Sequence, residues 1–103
     1  MFRRQRFGEL IESQLRVFTT DHADRLDSLR EARALYRAAD ASDAEERYGA
    51  YADEIDWAAE ELAEMRDAYA ATLDEETDEQ YTRAFSKAVH KAFPEIAVIL
   101  DTL

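Results

Sequence analysis

Two histidines and an abundance of carboxylates are the side chains in this sequence with the clearest potential for acid–base or metal chemistry. A di-iron centre in a helical bundle needs a Glu-x-x-His pair, because residues three apart project side by side and can share a metal. Position 19, three before His22, is Thr19, and position 87, three before His90, is Lys87, so the motif is missing. His22 lies one turn from Phe18 and one from Leu26, on an apolar stripe. There it reads as a partly buried ring held by one hydrogen bond, at the level of Ala59 and near Glu95. His90 falls off the apolar face, beside Lys87 and Lys91, and reads as a solvated side chain near a helix end.

The carboxylates offer little more. Glu60, Glu61 and Glu64 are spaced to share one helix face, but that face lies opposite Ile55 and Leu62. Carboxylates without histidine suit a hard cation such as calcium or magnesium, and bind it weakly when so exposed. The absence of cysteine excludes disulfides, thiolate zinc sites, iron–sulfur clusters and thiol nucleophiles. Ser13, Ser28, Ser42 and Ser86 have no flanking nucleophile motif, and Gly8 and Gly49 are too isolated to form a phosphate-cradling loop. The sequence therefore predicts no catalytic residue, no metal ligand and no cofactor.

The elements that would position these side chains are helical. Of 103 residues, only Gly8, Gly49 and Pro94 interrupt a composition rich in Ala, Leu, Glu and Arg, residues that lose least on entering a helix. Apolar residues recur at helical spacing in three stretches. The first predicts a long helix from about Arg3 to Ala39, with a stripe of Phe7, Ile11, Leu15, Phe18, His22, Leu26, Leu29 and Tyr36. The β-branched Thr19 and Thr20 are its weak point, yet the stripe continues in register and favours one unbroken helix. Ser42-Asp43-Ala44-Glu45 fits a capping box for a second helix reaching Leu73, buried along Tyr48, Tyr51, Ile55, Ala59, Leu62, Met65 and Tyr69. Thr77-Asp78-Glu79-Gln80 fits another, opening a third helix with Tyr81, Phe85 and Val89 inward. Pro94 suits the first turn of a short terminal helix over Glu95–Leu100. The expected fold is all-α: an antiparallel three-helix bundle, made of a long hairpin and a third helix, with a short C-terminal helix, in one domain over 1–103.

Charge narrows the partners. The chain carries 24 acidic and 13 basic side chains, a net of −11. Residues 40–80 alone hold 16 carboxylates against 2 cations. Such a balance argues against nucleic acid or an anionic membrane as partner. No window approaches the roughly 20 apolar residues of a membrane span, and Glu9, Glu12 and Arg16 interrupt the stretch that would serve a signal peptide as its apolar core. A cytoplasmic protein is expected. The Arg3, Arg4 and Arg6 cluster is expected to meet Asp74, Glu75 and Glu76 within the chain.

Two surfaces then stand out as candidate contacts. Trp57 projects away from the stripe of its helix, among Asp53, Glu60, Glu61 and Glu64, where it could anchor a basic protein partner. At the other end, Leu29, Leu35, Tyr36 and Tyr48 with the terminal Ile96, Ile99 and Leu100 would form an apolar patch if the last helix covers the hairpin incompletely. A hairpin with such a patch would dimerise to bury it. The function expected is a non-enzymatic, self-associating acidic interaction protein. The alternatives are a carboxylate-rich metal-binding or ferritin-like oligomer and an acidic mimic of nucleic acid.

Overall fold

The computed structural model describes residues 6–103. Five helices follow one another: α1 (Gly8–Asp21), α2 (Ala23–Arg37), α3 (Ala44–Ala70), α4 (Glu75–Ala92) and α5 (Pro94–Leu100). The described residues hold no strand, and the all-α bundle predicted from the sequence is the fold.

The first helix is not continuous. It breaks at His22, whose φ of −118° and ψ of 29° lie outside helical values, and α2 restarts at Ala23. In the preceding turn the β-branched Thr19 donates its hydroxyl back to the Leu15 carbonyl at 2.9 Å, a type of bond that disfavours straight helix. The stripe survives because a one-residue break leaves Phe18, Leu26 and Leu29 all buried.

Both helix starts are set by aspartate rather than by the serine or threonine boxes. Asp40 Oδ1 accepts from the Ser42 amide, the Ser42 hydroxyl and the Asp43 amide at 2.7–3.1 Å, forming a turn before α3. Asp43, at the N-cap, makes no side-chain cap bond. Asp74 caps α4 by accepting from the Thr77 amide at 2.8 Å, so α4 begins at Glu75, two residues before Thr77. These bonds hold the Asp40 and Asp74 carboxyls below the usual range, through Ser42 and Thr77 respectively.

α3 runs antiparallel to α1 and α2, bringing Tyr69 to Phe7, Trp57 to Phe18 and Tyr51 to Tyr36. α4 runs parallel to α1, with Tyr81 against Phe7 and Phe93, just past its end, against Phe18. α3 is thus packed from both sides, which is why Ala58 and Ala63 join Ile55, Ala59 and Leu62 in its buried face. Small side chains there let neighbouring backbones approach without overpacking. The buried aromatic Tyr81 keeps its hydroxyl satisfied by donating to Gln14 Oε1 at 2.9 Å, and burial raises the hydroxyl's pKa.

At Pro94 the chain reverses. Its fixed φ and missing amide suit the first turn of α5, which folds back against α3 and α4 instead of extending towards the hairpin's end. Glu95 meets Arg33 at 3.1 Å, and Leu103 returns to Arg66. Ser86 donates to Asp101 Oδ1 at 2.8 Å, while His90 Nε2 lies 2.6 Å from Asp101 Oδ2, so one carboxylate ties the end of α5 to α4.

Candidate interaction surfaces

The Trp57 site differs from the expected exposed anchor. Trp57 is half-buried and packs against the core. Its ring stacks with Phe18 at 6.4 Å between centroids and meets His22 edge-on at 5.1 Å. The guanidinium of Arg25 lies 4.3 Å over the ring, and its Nε donates to Glu54 at 2.8 Å. The acidic frame and the aromatic face thus hold a cation of the same chain. A helical wheel missed this because it places Trp57 by its Cα, whereas the long side chain reaches round the flank of α3 to the break at His22.

His22 is half-buried at the level of Trp57 and Glu61, with Nε2 3.4 Å from Glu61 Oε1. The expected level is met, but Glu95 is not its neighbour, since the reversal at Pro94 carries Glu95 to Arg33. His90 lies at the surface, as expected, and its pairing with Asp101 was not foreseen. That pairing depends on the fold-back of α5, eleven residues along, which periodicity does not reveal.

The apolar patch is smaller than expected. Ile96 and Leu100 are 1% exposed, Leu29 is buried and Ile99 is half-buried, all within the chain's own core. Leu29, Ile96 and Leu100 form no surface for a partner. Leu35, Tyr36 and Tyr48 do remain exposed, Tyr48 by 53%. Tyr36 meets Tyr48 edge-on at 5.3 Å and stacks on Tyr51 at 6.0 Å, so the end of the α2–α3 hairpin carries a group of three tyrosines. Burial, and after it the charge of Glu95, raises the pKa of Tyr51. The Tyr51 ring therefore stays neutral at physiological pH.

Charged groups surround these rings with both signs. Arg37 closes α2, while Asp40, Asp43, Glu45 and Glu46 precede and open α3. Arg37 and Arg47 make no ion pair among the described residues, unlike Arg25, Arg30, Arg33 and Arg66.

Among the described residues no group of three or more His, Asp or Glu is placed to hold a metal ion. Glu61 of the acidic triplet is turned to His22, and Glu60 and Glu64 stay at the surface. Arg6, the described member of the N-terminal cluster, lies at the start of α4, where it donates to Gln80 at 3.5 Å and lowers the Asp74 pKa by its charge. Arg3 and Arg4 lie outside the described residues. No helix among the described residues is long and apolar enough to cross a membrane. In comparison with known proteins, no family model matches the chain, and neither a curated protein nor a solved structure does.

Proposed function

We propose that this chain is a non-enzymatic interaction protein that pairs with a second copy of itself through the open end of the α2–α3 hairpin. The observation that carries the reading is the exposure of Leu35, Tyr36 and Tyr48 together at one end of the molecule. Because α5 turns back at Pro94, no element among the described residues covers them. Tyrosine suits such a contact, giving large apolar area with few rotatable bonds and a polar tip. Under a two-fold, Arg37 and Arg47 of one copy can meet Asp43, Glu45 and Glu46 of the other, so the surface complements itself in charge as in shape. A basic partner at Trp57 is less favoured, since Arg25 already occupies the ring face.

The absence of native cysteine makes a clean test available. Ala38→Cys places one thiol beside the tyrosines, and Glu64→Cys places one on the exposed face of α3. Mild oxidation should give a covalent dimer with Ala38→Cys and little with Glu64→Cys. Equal cross-linking at both positions would contradict pairing through the hairpin's end.

A further inference from the structure

We infer that the open groove between α1 and α4 is a docking site for an acidic amphipathic helix of another protein. The groove is about 600 Å³ in volume and is floored by Gly8, Ile11, Leu15, Ala84 and Ala88. Its small residues on α4 let a visiting helix approach the backbone closely. Towards the start of α4 it continues past Phe7 and Ala84 to Arg6 and Arg83. From Gln80 to Ala92 this path is about 18 Å long at the helical rise, room for about three turns of a docked helix.

The rim identifies the occupant. Arg83, Lys87 and Lys91 recur every four residues along one edge of the groove, all exposed, and none makes an ion pair among the described residues. Glu12 is the carboxylate among the groove's lining residues. On a chain of net charge −11, a ridge of three cations with no ion pair among the described residues, beside an apolar floor, is the local reverse of the whole. A helix with aliphatic residues on one face and carboxylates on its flanks matches both features. A second copy of this chain does not supply one. Its strongly acidic helix, α3, spends its apolar face on its own core and presents Asp53, Asp56, Glu60 and Glu64 outward.

The probe is a labelled, side-chain-stapled helix of about three to four turns, with Leu at positions three and four apart, Glu at the flanking positions and Ala elsewhere. Its control has the same Leu face with Lys in place of Glu. Anisotropy titrations should show the Glu helix binding at least tenfold more tightly than the Lys helix, and weakening as salt rises. The double variant Lys87→Glu/Lys91→Glu, changed at exposed positions and checked for helix content by circular dichroism, should lose the Glu helix at least tenfold. Equal binding of the two helices, no binding of either, or undiminished binding to the double variant would overturn the proposal. So would a fall in the protein's own solution mass caused by that variant, which would make the groove a contact between copies.

Discussion

The guanidinium of Arg25 lies 4.3 Å over the ring of Trp57 while its Nε donates to Glu54 at 2.8 Å. One arginine thereby joins the start of α2 to the middle of α3, next to the break at His22. The contact covers a tryptophan that would otherwise face solvent from an acidic helix. It also gives Glu54 a partner on a chain short of cations.

Trp57 is the single tryptophan, so its fluorescence reports on this one ring. Arg25→Ala should shift the emission to longer wavelength and lower stability by about 0.5–1 kcal/mol, the range for a cation over an aromatic face at a solvent-accessible site. An unmoved spectrum would show that Arg25 does not cover the ring in solution.

Leu100 is buried between α5 and the helices beneath it, so its truncation should weaken folding. Leu100→Ala should lower the unfolding free energy by about 2–5 kcal/mol in denaturant titrations. Leu100→Asp should prevent α5 from docking at all, making it a measure of folding and not of pairing. A Leu100→Ala variant as stable as the parent would mean that α5 does not close the core.

Asp101 tests the tie between α4 and α5 through pH. His90 first, then Ser86, lower its pKa. A carboxyl lowered in the native state adds stability that is present above its unfolded value of about 3.9 and is lost as pH falls through the lower native one. Asp101→Ala should therefore be less stable than the parent above about pH 5, with the difference shrinking as the solution is acidified further. Denaturant midpoints measured along this series give the result directly. A difference that grows in acid would contradict the assignment.

Much of this architecture was legible because helical periodicity reports which face is buried. Phe18, Leu26, Ile55, Leu62, Phe85 and Val89 all lie where their spacing puts them. Thr19 and Thr20 mark the weak point beside His22, but a single non-helical residue leaves the stripe in register on both sides, so periodicity favours continuity there. The capping residues were misplaced because several candidates stand close together. Asp40 competes with Ser42, and Asp74 with Thr77, and the choice depends on where each turn closes. At the candidate surfaces, Tyr36 and Tyr48 were legible as an apolar end, while Ile96 and Leu100 were not legible as core. Their burial depends on the direction taken after Pro94, which a proline permits without dictating. Trp57 was misjudged for a related reason: its contacts come from α1 and α2, which its own helix cannot disclose.

Pairing through the open end of the hairpin is the central claim, and solution mass tests it most directly. Sedimentation equilibrium at tens of micromolar should give twice the mass of the 103-residue chain for the parent protein. Tyr48→Asp, exposed and at the surface of α3, should return a folded monomer, as should Leu35→Asp on α2. A monomeric parent, or a dimer that survives both substitutions intact, would contradict it.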